Sequence, residues 1–163
     1  MGFNEAVWLL RRWASLFLLL FALFSCGEQG VELEAEHPLR RLPIALRVSL
    51  DHEGRVLLEP YSYRLYERPL YRGERLGYMG VVVVHGVGEQ YAAYDLACPY
   101  CWPTEVAVVP SLNSAKGVVI AECAECHSVY DLALGLAHPV AGPGKYPLLE
   151  YRVYRRGSQL WIE

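Results

Sequence analysis

Four cysteines in the second half of the chain form two Cys-x-x-Cys pairs, which are the residues best suited to chemistry. Cys98 and Cys101 lie in YDLACPYCWP, and Cys123 and Cys126 lie in AECAECHSVYDLALG, with residues 102–122 between the pairs. Each pair can present two thiolates to one point, and two facing pairs make a cage of four sulfurs. Such a cage suits zinc or a single iron ion, and thiolates also hold iron–sulfur clusters. The spacing therefore predicts a metal site with these four ligands.

Two other uses of the cysteines stay open at this point. In an oxidising compartment four cysteines can form disulfides in three different pairings. A redox-active Cys-x-x-Cys of the thioredoxin type stands at a helix N-terminus, where the helix dipole lowers a thiol pKa. Neither pair precedes a predicted helix. We therefore favour metal binding, with disulfides as the alternative.

The elements that must position the cysteines are predicted to be strands. Short β-branched segments separated by turn residues recur along the chain, and no segment after the N-terminal region keeps a 3.6-residue period. This pattern predicts an all-β sandwich or barrel. Residues 55–78 are predicted to form a solvated loop, and His85 is expected on a turn, exposed to water. The predicted strands are 44–50, 81–84, 90–96, 105–110 and 117–122, followed by a C-terminal hairpin that turns at 156–158.

The N-terminal residues have the pattern of a secretory signal. Arg11 and Arg12 precede an uncharged apolar run, 13–24, which is too short for a membrane span of about 20 residues. The run ends at LFSC, which resembles a bacterial lipobox with Cys26 as the lipidated residue; an ordinary signal peptide or an uncleaved anchor is the alternative. We predict a lipoprotein signal peptide at 1–25, a lipid-anchored tether at 26–40 and a β domain at 41–163. The expected location is the bacterial cell envelope, on the periplasmic or cell-surface side.

Charge and motif content narrow the expected function. The chain has 15 basic and 18 acidic residues, for a net charge of −3, so no basic field favours nucleic acid. We find no Ser-His-Asp order, no paired catalytic carboxylates and no phosphate loop, and no small-molecule substrate is evident. The chain is expected to be an electron-transfer or binding component rather than a self-contained enzyme. Its expected partners are the membrane, through lipid on Cys26, and an unidentified envelope protein.

The residues around the second pair resemble the Rieske iron–sulfur domain family. CAECHSVYDLALG is similar to that family's second cluster-binding loop, Cys-x-x-His-Gly-Ser-x-Tyr/Phe-Asp, at Cys123, Ser128, Tyr130 and Asp131. YAAYDLACPY resembles the strand that enters the first loop, with Cys98 on the ligand position, and AGPGKYPLLEYRV resembles the loop that covers the cluster. The resemblance spans about residues 78–163. It implies a Rieske-like antiparallel sandwich, with metal-binding loops at about 96–131 and a covering loop at 141–147.

The departures from the family pattern fall on its histidine ligands. Tyr100 stands where the first loop has its histidine and Cys101 follows it, whereas Cys126 stands at the second histidine and His127 at the glycine after it. The two Cys-x-x-Cys loops are therefore expected to form a small rubredoxin-like metal-binding subdomain. Two neutral imidazoles raise the potential of a Rieske centre, so four thiolates imply a lower potential. High-potential quinol oxidation is not expected.

The resemblance leaves two functions in view. One is a one-electron carrier with iron or a [2Fe-2S] cluster at the four cysteines; the alternative is a structural zinc site in a non-redox binding or scaffold lipoprotein. Several other side chains are expected to surround the metal without binding it: Tyr100, His127, Ser128, Tyr130 and Pro143.

Overall fold

The computed structural model describes residues 36–113, 117–133 and 136–163. The predicted signal peptide and Cys26 lie outside these ranges. Within them the chain forms eleven β-strands and one short 3-10 helix, so the predicted all-β class is confirmed. None of the described helical residues builds a helix long and apolar enough to cross a membrane.

All strand pairings within the three sheets are antiparallel. The sheet orders are β1-β11-β10, β2-β3-β4-β9 and β5-β6-β7-β8. The 3-10 helix spans Arg55–Leu58. The strands are β1 (Leu46–Ser49), β2 (Tyr63–Tyr66), β3 (Val81–His85), β4 (Tyr91–Asp95), β5 (Val108–Asn113), β6 (Val118–Cys123), β7 (Val129–Asp131), β8 (Pro139–Ala141), β9 (Glu150–Tyr151), β10 (Val153–Arg156) and β11 (Gln159–Ile162).

The second sheet is the middle layer of the domain. Every residue of β3 is buried, which explains a strand of four consecutive valines with no polar alternation. Val81 and Val83 belong to one apolar cluster, whereas Val82 and Val84 belong to another. Because successive side chains of a strand point to opposite faces, β3 separates two hydrophobic cores.

The two cores differ in what they contain. Core 1 packs the sheet β1-β11-β10 against the middle sheet through residues such as Val48 and Leu160. Core 2 packs the middle sheet against β5-β6-β7-β8, and its buried members include Cys98, Cys123 and Tyr130. The predicted metal site is thus built into core 2.

The prediction of a solvated loop at 55–78 fits the exposed residues 67–73 and is wrong for the segment before them. This region contains the 3-10 helix, whose Leu57 is fully buried, and strand β2, whose Tyr66 is 2% exposed in core 1. Tyr66 pairs with Val81 across the middle sheet. His85 is also not on a solvated turn: it ends β3, is buried, and stacks on Tyr91 with ring centroids 4.6 Å apart.

The observed strands also differ from the predicted ones in their bounds and in number. The strand expected at 105–110 begins at Val108 and runs to Asn113. The segment after β7 contains a short strand, β8, which pairs with β7. The C-terminal hairpin is confirmed: β10 and β11 pair around Gly157, whose positive φ of 59° suits a tight turn.

Candidate metal centre

Antiparallel pairing of β5 with β6 brings the two Cys-x-x-Cys segments together. We call residues 98–106 hook 1 and residues 122–128 hook 2. Hook 1 is closed by a hydrogen bond from the Cys98 N–H to the Val106 carbonyl (2.9 Å), and β5 begins two residues later. The first residue of β5, Val108, pairs with Cys123 at the end of β6. The end of hook 1 and the start of hook 2 therefore lie side by side.

The four sulfurs converge on one point. The Sγ atoms of Cys98 and Cys126 are 3.7 Å apart, as are those of Cys101 and Cys123, and all four lie within 4.8 Å of one another. All four cysteines are free thiols in this structure. In the described part of the chain they form the one cluster of metal-binding side chains with three or more members. The residue set expected from the spacing is thus assembled in space.

The four cysteines span the boundary between core 2 and the surface. Cys98 and Cys123 are buried within core 2, whereas Cys101 and Cys126 are only partly buried. Each hook therefore contributes one inner and one outer sulfur. A metal held by this set is anchored in the core and reaches the protein surface.

Hydrogen bonds within hook 2 favour its thiolates. The Cys123 N–H donates to the Ser128 carbonyl (3.0 Å), and the His127 N–H donates to the Cys123 carbonyl (2.9 Å), so the hook closes as a tight turn. Burial raises the pKa of Cys123, while the backbone N–H groups of Cys126 and Glu125 at its sulfur act in the opposite direction. These N–H groups would stabilise a metal-bound thiolate.

The outer thiols of the two hooks differ in acidity. Burial opposes ionisation of Cys126, but hydrogen bonds from the side chain and backbone of Ser128, and from Cys123 and Cys101, lower its pKa to about 7. Burial, followed by hydrogen bonds with the other three thiols, raises the pKa of Cys101 well above its usual range. Metal ligands must be deprotonated, so Cys126 is the readier of the two outer thiols to take up a metal.

Ser128 and Tyr130 contact sulfurs directly. Ser128 is fully buried, and its Oγ lies 3.2 Å from the Cys126 Sγ. The Tyr130 hydroxyl lies 3.6 Å from the Cys98 Sγ. Burial, and then its contact with Cys98, raises the pKa of Tyr130 far above the ordinary range, so the phenol keeps its proton and can donate it to a thiolate.

The segment 141–147 lies against hook 2, as expected of a covering loop. The Gly144 N–H donates to the Ser128 Oγ at 2.9 Å. A Cβ added at Gly142 would lie 2.5 Å from the His127 carbonyl oxygen and 2.6 Å from the Ser128 Cα, so only glycine fits there. These two glycines are functional candidates that the sequence reasoning did not single out individually, although the Gly-Pro-Gly pattern marked the loop.

A buried carboxylate next to hook 1 was also missed. Asp95 is fully buried and accepts hydrogen bonds from the N–H groups of Tyr78 (2.7 Å) and Ala97 (2.8 Å) and from the Tyr151 hydroxyl (2.7 Å). The Tyr78 ring in turn packs edge-on against Trp102 in hook 1, with centroids 4.8 Å apart. Asp95 thus fixes the strand end that leads into Cys98. Its proximity to the hook in sequence was the available signal.

The remaining predicted neighbours of the metal point outward. Tyr100 is 51% exposed, and Pro143 is exposed at the surface of the covering loop. His127 has a left-handed backbone (φ 55°), and its side chain is exposed and lies 3.7 Å from the Glu122 carboxylate. The structure brings Ser128 and Tyr130 to the sulfurs. The roles of the other three beside a metal stay predictions.

Three chains among the solved structures are similar to this chain, including the two that follow. One is a chain from the complex of reduced oxygenase and oxidized ferredoxin in carbazole 1,9a-dioxygenase, with 19% identity and a TM-score of 0.43, covering 73% of this chain and 92% of that one. The other is the ferredoxin of carbazole 1,9a-dioxygenase from Nocardioides aromaticivorans IC177, with 19% identity and a TM-score of 0.45, covering 74% and 97%. No family model and no curated protein matches the chain.

Proposed function

We propose that this chain is a lipid-anchored electron carrier of the cell envelope, with iron bound by Cys98, Cys101, Cys123 and Cys126. The observation that carries this proposal is the convergence of the four sulfurs within 4.8 Å at the edge of core 2. Thiolate-bound iron supplies a one-electron redox couple whose potential depends on hydrogen bonds to the sulfurs and on exposure. The chain's own residues hold the iron and provide those hydrogen bonds.

Two features of the surroundings favour electron transfer over a purely structural role. Cys101 and Cys126 are partly exposed, so a docked partner could approach the centre closely. Ser128 and Tyr130 place hydroxyl groups at the Cys126 and Cys98 sulfurs. Donors to thiolates stabilise the more negative, reduced state of an iron site. At an iron site these two hydroxyl groups would therefore tune the reduction potential.

The direct test is the redox chemistry of the protein as isolated. The full chain, purified in detergent from cells grown without added metal, should be coloured, contain iron, and undergo a reversible one-electron reduction. Cys123→Ser and Cys126→Ser should each lose the iron and the colour. Cys26→Ser, which lies outside the cluster, should keep both. A colourless protein with zinc as its only metal would refute the electron-carrier proposal.

A second candidate function is a structural zinc site in a binding lipoprotein. The same sulfur geometry favours it, because zinc in structural sites is held tetrahedrally by four protein ligands. Zinc would then connect the two hooks without redox chemistry. In that case the isolated protein should contain zinc. The zinc-bound form should bind its envelope partner without added iron.

Membrane attachment is proposed from the sequence of residues 13–26. The apolar run followed by Cys26 favours acylation, and acyl chains contribute about 0.8 kcal/mol for each buried CH₂. Cells fed a fatty-acid probe should label the chain, and Cys26→Ala should abolish the label and release the protein from membranes. Labelling that persists in Cys26→Ala would show that the anchor is elsewhere.

A further inference from the structure

We infer that the four cysteines hold a single tetrahedral metal ion, not the two-iron, two-sulfide cluster that the motif resemblance implies. A single-ion site deepens the proposed function if the ion is iron, and it stands equally if the ion is zinc.

The sulfur positions match one ion. A metal–sulfur bond of about 2.3 Å and tetrahedral angles place every pair of sulfurs about 3.8 Å apart. The Cys98–Cys126 and Cys101–Cys123 pairs are both 3.7 Å apart. The remaining pairs are within 4.8 Å, so small side-chain rotations would complete the tetrahedron.

A two-iron cluster requires a different arrangement of the same atoms. Each iron binds two thiolates, and the two irons share two sulfides between them. With bonds of about 2.3 Å, two tetrahedra that share an edge place thiolates on different irons at least about 5.3 Å apart, and the diagonal pairs about 6.5 Å apart. No sulfur pair of this site is separated by more than 4.8 Å. The four sulfurs would have to spread apart to admit the cluster, whereas a single ion requires them to draw together.

The backbone opposes such an opening. Hook 2 is held to the covering loop by the Gly144 N–H bond to Ser128 and by the close approach of Gly142 to His127. Hook 1 is fixed by the Cys98–Val106 hydrogen bond next to the pairing of Val108 with Cys123. Moving hook 1 away from hook 2 would disturb the Val108–Cys123 pairing, and moving hook 2 would strain its contact with the covering loop.

Histidine does not supply the ligands of a Rieske cluster here. His127 is the one histidine within the two hooks, and its exposed side chain lies next to the Glu122 carboxylate. The metal-binding cluster in the described residues consists of the four cysteines alone. The ligand set is therefore all thiolate, and it is compact.

The test is the ratio of metal to sulfide under conditions that favour a cluster. Metal-free full-length protein in detergent, kept reduced and anaerobic, is incubated with excess ferrous iron and sulfide and then desalted. We expect one iron and no acid-labile sulfide per chain. After oxidation, electron paramagnetic resonance should show an isolated ferric ion, whereas an oxidised two-iron cluster has no net spin. Two irons and two sulfides per chain would overturn the inference.

Zinc loading separates this inference from the proposed function. Incubation of the same metal-free protein with excess zinc should leave one zinc per chain, and Cys126→Ser should lose most of it while His127→Ala retains it. Protein isolated with one zinc would refute the electron carrier but support the single-ion site. Retention of neither metal by protein whose circular dichroism shows a folded sheet would refute both.

Discussion

At the scale of single residues, the charge on Cys126 sets the direction in which the Ser128 hydroxyl donates its proton. Its Oγ accepts the Gly144 N–H at 2.9 Å, and the Cys126 Sγ lies 3.2 Å away. When Cys126 is a thiolate it cannot donate, so the serine hydroxyl must donate to it. Ser128, the last residue of hook 2, contacts the covering loop and therefore couples that loop to the charge on one sulfur.

Ser128→Ala should lower the reduction potential of the iron-loaded protein. The lost donor stabilises the reduced, more negative site more than the oxidised one, and hydrogen bonds to charged groups contribute about 1.5–3 kcal/mol. We expect the reduction potential to fall on the order of 50 mV. For one electron, roughly 59 mV corresponds to a tenfold change in the equilibrium constant of reduction. Redox titration measures it. Ser158→Ala, in the exposed C-terminal turn, is the control; an unchanged potential in Ser128→Ala would contradict the assigned bond.

At the scale of elements, the covering loop depends on Gly142. Gly142 and Gly73 both have positive φ, at 82° and 91°, but a Cβ at Gly73 would meet nothing within 4 Å, whereas one at Gly142 would collide with hook 2. Alanine at either position costs about 1–2 kcal/mol in backbone strain. Only Gly142→Ala should also push the loop from hook 2.

We expect Gly142→Ala to release its metal to a chelator several times faster than the parent protein. Gly73→Ala should lose thermal stability without changing the release rate, because it shares the strain and lacks the contact. Time courses of zinc or iron loss to excess chelator measure both variants. Equal release rates in the two variants would show that the loop does not retain the metal.

The sequence predicted the elements that are local and missed those that depend on distant partners. Each Cys-x-x-Cys pair needs only one turn of the chain to bring its two sulfurs together, so the four-sulfur cluster could be predicted. The pairs are Cys98 with Cys101 and Cys123 with Cys126. Strand β2 was missed because Tyr66 becomes buried only through its pairing with Val81 and its packing in core 1. Asp95 was missed for the same reason: its partners Tyr78 and Tyr151 come from other segments.

At the scale of the whole molecule, the two hooks form an acidic region. Hooks 1 and 2 contain Glu105, Glu122 and Glu125 and no lysine or arginine, and all three glutamates are exposed. Four thiolates around a ferric or ferrous ion add one or two negative charges, while Lys145 in the covering loop contributes one positive charge. The iron-loaded protein should therefore react faster with cationic than with anionic redox partners of similar potential.

Salt should separate the two classes of small redox probe. Rates with a hexaammineruthenium complex should fall as ionic strength rises, and rates with ferricyanide should rise, because salt screens attraction and repulsion alike. Glu122→Gln/Glu125→Gln should weaken both trends more than Glu59→Gln/Glu67→Gln, whose exposed positions lie outside the hooks. Stopped-flow kinetics measure these rates. Equal effects of the two double variants would mean that net charge, not the charge of the hooks, governs the reaction.

The two cores should respond differently when the metal is removed. Core 2 contains Cys98 and Cys123, so without metal it must accommodate thiols that no longer bind a common ion. Core 1 contains no cysteine. Metal binding can contribute on the order of 10 kcal/mol to a small folded domain.

We expect chelation to increase amide exchange in both hooks and in β5–β7, while β1 and β11 keep their protection. Hydrogen exchange read by mass spectrometry resolves these segments, and adding zinc back should restore protection. If β1 and β11 lost protection together with the hooks, the two cores would have to unfold as one cooperative unit, and the middle sheet would not isolate core 1 from the metal site.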